Sequence, residues 1–143
     1  MGHLDATATV DWQGFGGEVT GASGALHART ASQIELGGPG GGTNPEELLA
    51  AAHANCFTST LTSLARRHGL RLDRVHTVAT TNLDWTEGHG DHELTETRLA
   101  VGISTPGAWE DVERLVREAE RECPICRAVA GTVRLRVELT RLE

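Results

Sequence analysis

Residues 43–69 hold the strongest structural signal in the sequence, a long helix whose two ends are both marked. Asn44 is a good N-cap, Pro45 suits the first helical position, and Glu47 stands where it closes a capping box. Gly69 is a suitable C-cap, so we expect a helix from Pro45 to the residue before this glycine. The residues between these ends are mostly apolar or small, and a helix that is apolar on most faces lies inside a fold or an interface.

The other segments show strand or helix periodicity and predict the order strands, long helix, two strands, helix, strand. Alternation predicts strands over 5–12, 73–86, 92–104 and 132–142, with two or three short strand-like pieces over 18–36 that are broken at Gly21 and Gly24. Residues 87–90 predict a turn, and amphipathic spacing predicts helices over 108–122 and 124–130. This order is typical of an α+β domain with antiparallel pairing.

Length and charge limit the function classes. The 143 residues suit one domain spanning 1–143. No apolar run approaches the roughly 20 residues of a membrane-spanning helix, and the Met1-Gly2-His3 start does not resemble a secretory signal. Thirteen basic against twenty acidic residues give a net charge of −7, which argues against a nucleic-acid surface. We therefore expect a cytoplasmic protein with neither a membrane nor a nucleic acid as partner.

The three cysteines are the candidate residues for a catalytic or metal-binding role. Cys56, Cys123 and Cys126 are too few and too odd in number for a secreted disulfide framework, so they indicate thiols for redox chemistry, metal binding or packing. Cys56 lies in the middle of the apolar helix, where a cysteine often serves only as a small core side chain. Cys123 precedes Pro124, which favours the first turn of a helix, where a thiol gains thiolate character. Cys126 completes a Cys-x-x-Cys motif of low specificity.

A zinc site is the best alternative to redox chemistry. His53 lies three residues before Cys56, so both side chains share one face of the helix. Together with Cys123 and Cys126, they would supply four zinc ligands. The simpler interpretation of His53 is an interior histidine whose polar atoms are satisfied by hydrogen bonds.

Residues 43–57 and 123–128 carry two recognisable motifs. The first is Thr-Asn-Pro-Glu-Glu-Leu-Leu-Ala-Ala-Ala-His-Ala-Asn-Cys-Phe, and the second follows the pattern Cys-Pro-x-x-Arg-Ala. Both motifs, their separation and the order of elements resemble the OsmC/Ohr family of thiol-dependent hydroperoxide reductases. The resemblance implies an OsmC-like fold with antiparallel sheets, a long central helix and a second helix. It also implies an intertwined homodimer with two active sites at the interface.

The same resemblance implies a peroxidase reaction on organic hydroperoxides that needs no metal and no prosthetic cofactor. Cys56 would attack the O–O bond and become a sulfenic acid, and Cys123 would condense with it to a disulfide. An external dithiol, a lipoylated protein or dihydrolipoamide, would then reduce this disulfide. Glu46 matches the family glutamate that helps to hold the reactive site.

The family's activating arginine pairs with that glutamate and stabilises the thiolate. In the Ohr-like register its place beside Glu35 is taken by Ile34. Arg29 is therefore the candidate in the N-terminal segment, and Arg127 is a possible substitute from the second motif. Because a thiolate depends on such a cation, this departure also leaves open an OsmC-like scaffold that binds an apolar ligand without turnover.

Cys126 is a second departure, since the family usually has a non-thiol residue at that position. It would either compete with Cys123 as the resolving thiol or remain a buried spectator. A Cys123–Cys126 disulfide within a tight helical turn would be strained, which favours the Cys56–Cys123 pair.

The spacing of Glu46 and Cys56 also bears on assembly. The two residues are ten positions apart, about 15 Å along one helix, so they cannot touch within it. Two antiparallel helices that cross at Ala51 would place Glu46 of one chain level with Cys56 of the other. This register, together with small residues at the crossing point, predicts a two-fold dimer.

Overall fold

The computed structural model describes residues 1–88 and 90–143, and these form six strands and three α-helices in the predicted order. They are β1 (Ala8–Gln13), β2 (Gly16–Gly21), β3 (His27–Ala31), α1 (Pro45–Arg67), β4 (Arg74–Trp85), β5 (His92–Ser104), α2 (Trp109–Glu122), α3 (Pro124–Val129) and β6 (Arg134–Arg141). The α+β class is confirmed. The predicted turn over 87–90 contains His89, which lies outside the described residues. None of the helices in the described part of the chain has the length and apolar character needed to span a membrane.

The chain divides into two compact units, Met1–Leu48 and Leu49–Glu143. A single domain over 1–143 stays a prediction. The first unit is an antiparallel meander in the order β1-β2-β3. Gly14 has φ of +66° in the tight turn between β1 and β2, a conformation that favours glycine. After a 3-10 helix over Ile34–Leu36, the chain returns to β3, where the Thr43 backbone N–H donates to the Arg29 carbonyl at 2.8 Å.

Both ends of α1 follow the local signals in the sequence. The Asn44 side chain accepts from the Glu47 backbone N–H at 2.8 Å, which confirms the predicted N-cap. At the other end, Gly69 has φ of +67°, and the Leu70 backbone N–H donates to the Ala65 carbonyl at 2.8 Å. This is the hydrogen-bond pattern of a Schellman C-cap.

One strand pair in the second unit differs from the expectation of antiparallel pairing. The sheet has the order β4-β5-β6, with β4 and β5 antiparallel but β5 and β6 parallel. The connection from β5 to β6 runs through α2 and α3. A helical crossover of this length carries the chain back along the sheet, so the next strand can enter in the same direction.

The core of the second unit comes from alternating residues of β5 and from one face of each long helix. Leu99, Val101 and Ile103 have no exposed surface, as the period of a strand requires for residues that face one side. The helices add residues at helical spacing: Phe57, Leu61, Leu64 and Ala65 from α1, and Val112, Leu115, Val116 and Ala119 from α2.

Within one chain α1 is buried along one stripe and not on most faces. Ala51 and Ala52, at the middle of the helix, are exposed. The apolar composition of this helix therefore exceeds what a single chain buries.

Candidate active site: three cysteines beside a buried histidine

The second unit brings all three cysteines together, and all three are unbridged. Cys56 is half-buried on α1, while Cys123 is the N-cap of α3 and Cys126 lies one turn into that helix. Cys56 packs against the core cluster to which Cys123 and Cys126 belong. The structure thus places the predicted peroxidatic and resolving cysteines side by side, with the third cysteine packed into the same core cluster.

The surroundings disfavour resting thiolates at two of these positions. Burial raises the pKa of Cys56, and the neighbouring Cys123 thiol raises it further, while hydrogen bonds from the Ile125 backbone and the Thr60 side chain act in the opposite direction. Burial also raises the pKa of Cys126, with a smaller contribution from Cys123. A base or a cation would have to assist these thiols when they react.

His53 lies on α1 with 1% of its surface exposed and is hydrogen-bonded at both ring nitrogens. Nδ1 is 3.1 Å from the Thr97 hydroxyl of β5, and Nε2 is 3.0 Å from the Cys126 sulfur. Burial lowers the pKa of His53, which favours the neutral imidazole. The interpretation of His53 as a hydrogen-bonded interior histidine is confirmed. The sequence grouped His53 with Cys126 only as zinc ligands, and it gave no signal for the contact with Thr97.

The zinc alternative finds no support in this geometry. Across residues 1–88 and 90–143, no three His, Cys, Asp or Glu side chains are grouped in a way that could hold a metal ion. His53 instead directs one nitrogen at a threonine and the other at one cysteine.

Glu46 lies in the first turn of α1 and is half-buried. Its carboxylate accepts a hydrogen bond of 2.7 Å from the Gln33 side-chain amide. Gln33 directly precedes Ile34, the position that the sequence assigned to the missing arginine, and Ile34 itself is 70% exposed. The Glu46 carboxylate is therefore paired with a neutral amide. The only sequence signal for this contact is that Gln33 adjoins the position expected for the arginine.

The two arginine candidates lie on exposed surfaces. Arg29 on β3 lines a cavity of 560 Å³ together with the carboxylates of Asp11 and Glu18. The ion pairs found in the described part of the chain do not join it to Glu46. Arg127 on α3 lines a second cavity, of 440 Å³, that also has Cys126 in its wall.

Comparison with known proteins decides the family. The model of the family described as OsmC-like protein matches residues 38–138, which include the Cys56 and Cys123 motifs. The chain belongs to the OsmC-like protein family.

Relatives of this OsmC-like protein carry names that bear on its chemistry. It is 34% identical over 131 residues to an organic hydroperoxide resistance protein of Xanthomonas axonopodis pv. citri, a match that covers 90% of this chain and 87% of the relative. It is 28% identical over 99 residues to peroxiredoxin OsmC of Escherichia coli, covering 68% of each chain. The crystal structure of an organic hydroperoxide resistance protein OsmC from Legionella pneumophila matches with a TM-score of 0.79 and 29% identity, covering 98% of this chain and 99% of that one.

Proposed function

We propose that this OsmC-like protein is a cysteine-based peroxidase that reduces organic hydroperoxides to alcohols. The packing of Cys56 against the core cluster that contains Cys123 is the observation that carries the proposal, because a sulfenic acid formed on Cys56 then has a thiol nearby. The names of the relatives support the same activity, since they include an organic hydroperoxide resistance protein and a peroxiredoxin.

The reaction balances on two thiols. The Cys56 sulfur attacks one oxygen of the hydroperoxide, the O–O bond breaks, and the alkoxide leaves and takes a proton to become the alcohol. Cys56 is then a sulfenic acid. The Cys123 sulfur attacks it, water leaves, and a Cys56–Cys123 disulfide remains. An external dithiol returns two electrons by thiol–disulfide exchange, and a lipoyl-type dithiol is the proposed reductant.

The complete site is proposed to form between two chains. Ala51 and Ala52 are exposed at the middle of α1, where small side chains allow two helices to approach closely. An antiparallel crossing at Ala51 would bring Glu46 of one chain level with Cys56 of the other. We assign Glu46, oriented by Gln33, to hold this site. Arg29 is the proposed source of the positive charge that stabilises the thiolate.

The proposal requires neither a metal nor a prosthetic cofactor, because thiols supply both electrons. It places the protein in the cytoplasm, where thiols are kept reduced.

The decisive test measures hydroperoxide consumption with dihydrolipoamide as reductant, comparing cumene hydroperoxide with hydrogen peroxide. The proposal expects multiple turnovers and a faster reaction with the organic substrate. Binding of cumene hydroperoxide without consumption would instead support the non-catalytic scaffold. Stoichiometric zinc in untagged protein, together with no turnover, would support the structural alternative.

A further inference from the structure

We propose that Cys126 is a second resolving thiol, which takes over the disulfide from Cys56 while His53 accepts its proton. This inference rests on the proposed peroxidase function, and it adds a step that peroxide reduction with two cysteines does not need. The step would return Cys56 to its thiol form before any external reductant acts.

The four side chains form a continuous series of contacts through the second unit. Cys56 packs against the core cluster that contains Cys123. The Cys123 sulfur accepts the Cys126 backbone N–H at 3.4 Å, and the Cys126 sulfur is 3.0 Å from His53 Nε2. Peroxide reduction as written above uses only the first two residues, so a buried thiol in contact with a buried imidazole is left without a role.

The backbone at Cys123 places its side chain over the first turn of α3, beside Cys126. Cys123 has φ of −62° and ψ of 117°, so it is the extended N-cap of α3 and not a residue inside a helical turn. Its side chain folds back over the first turn towards the backbone of Cys126. A Cys-x-x-Cys pair with this arrangement is the reactive unit of disulfide oxidoreductases, where such bridges form and break readily.

His53 is placed to act as the base. Its Nε2 contacts the Cys126 sulfur, and the Thr97 hydroxyl at Nδ1 holds the ring in orientation. The lowered pKa of the imidazole and the raised pKa of the Cys126 thiol keep the proton on sulfur at rest. The thiol is therefore protonated at rest, and in the proposed step its proton moves to His53 Nε2 as the sulfur attacks the Cys56–Cys123 disulfide.

The exchange conserves electrons. The Cys126 sulfur attacks Cys123, a Cys123–Cys126 bond forms, and the Cys56–Cys123 bond breaks. Cys56 leaves as a thiolate and the proton from Cys126 resides on His53, so no further oxidant or reductant is needed. The external dithiol of the proposed function then reduces the Cys123–Cys126 disulfide.

A cavity of 440 Å³ borders the buried Cys126, which is 1% exposed, so a dithiol that enters the cavity reaches this sulfur only after a local opening of the wall. The cavity is lined by Arg117, Arg121 and Arg127 and by one carboxylate, Glu120. These cations would attract a reductant with acidic groups and would stabilise the thiolate that leaves during reduction. Reductant and hydroperoxide would thus act on different sulfurs of the same cluster.

The test counts hydroperoxide equivalents in the absence of reductant. Fully reduced wild-type protein should consume two equivalents of cumene hydroperoxide per chain: the first ends in the Cys123–Cys126 disulfide, and the second converts the released Cys56 to a sulfenic acid. Cys126→Ser should consume one equivalent and stop at the Cys56–Cys123 disulfide. Serine is a conservative control because its hydroxyl can keep the hydrogen bond with His53.

Peptide mass spectrometry after thiol alkylation and dimedone trapping identifies the products. After two equivalents, we expect a Cys123–Cys126 bond and a dimedone adduct on Cys56. Cys56→Ser should form no Cys123–Cys126 disulfide under peroxide, because the exchange needs the first disulfide. His53→Gln, which keeps polar atoms but is not a base, should slow the appearance of the Cys123–Cys126 bond by about 100-fold or more.

Several results would overturn the inference. One is a wild-type end point after one equivalent with Cys56 bound to Cys123 and Cys126 still alkylated. Others are a Cys56–Cys126 bond, or two equivalents consumed with Cys56 as a sulfinic acid and both other cysteines reduced. With a Cys56–Cys123 or a Cys56–Cys126 disulfide as end point the peroxidase function survives, because a dithiol can still reduce the bridge. Sulfinic acid at Cys56 with both other thiols reduced would overturn the resolving role of Cys123 as well. An absence of any consumption by wild-type protein would overturn both proposals.

Discussion

Substitution of Cys123 separates the resolving role proposed for this thiol from its structural role. The side chain has no exposed surface and belongs to the core cluster of the second unit. Its sulfur also accepts the Cys126 backbone N–H and so caps α3. Cys123→Ala removes both contributions along with the thiol, whereas Cys123→Ser removes the thiol but keeps an oxygen that can cap the helix.

The two variants should differ in stability and agree in chemistry. For Cys123→Ala, loss of an N-cap costs about 0.5–2 kcal/mol, and a small cavity adds about 1 kcal/mol, so we expect about 1.5–3 kcal/mol less free energy of unfolding. Cys123→Ser should lie between this variant and the wild type. Both should lose cycling with dihydrolipoamide, because Cys56 sulfenic acid lacks its partner and advances to sulfinic acid.

Urea unfolding measures the stability difference, and peptide mass spectrometry after a single turnover reports the oxidation state of Cys56. Sustained turnover by Cys123→Ser would refute the assignment of Cys123 as the resolving thiol. Equal losses of stability in both variants would refute the capping argument, while the chemical assignment would stand.

Three other predictions follow from the same cluster. Cys56→Ser should abolish turnover with the fold retained, because a hydroxyl is not nucleophilic at neutral pH; turnover assays and circular dichroism check this, and substantial remaining activity would move the peroxidatic role to another cysteine. Cumene hydroperoxide should have a higher kcat/KM than hydrogen peroxide, since burying about 100 Å² of organic tail stabilises the complex by about 2.5 kcal/mol; equal values would show that only the O–O group is recognised. His53 has a pKa lowered by burial, so the folded state binds fewer protons than the unfolded state as the pH falls through about 6.5. Stability should therefore be greater above that pH and decline below it, and urea unfolding at pH 7.5 and 5.5 should show a smaller decline in His53→Gln than in wild type.

Local sequence signals determined the order and most of the bounds of the elements. Asn44, Glu47 and Gly69 predict both ends of α1 because a cap needs only residues within one turn of the helix end. The alternation over 92–104 predicts a strand with the bounds that β5 has in the structure. Helix caps and strand periodicity can be predicted from the sequence because they do not depend on distant segments of the chain.

The parallel pairing of β6 with β5 needed the tertiary structure. The sequence between these strands predicts two helices. No local sequence pattern determines on which side of β5 the strand β6 pairs, or whether it runs parallel or antiparallel to β5. That choice depends on how α2 and α3 pack on the sheet.

In the candidate site, too, the sequence identifies the residues and the tertiary structure determines which of them are in contact. The sequence singled out the three cysteines, Glu46 and His53, because thiols, carboxylates and imidazoles in recognisable motifs are visible without coordinates. The sequence grouped His53 with Cys126, 73 positions away, only as zinc ligands, and their direct hydrogen bond is seen in the structure. The contacts of His53 with Thr97 and of Glu46 with Gln33 came only from the structure. Side chains distant in sequence become partners through the packing of whole elements, and this packing is a property of the core and not of any motif.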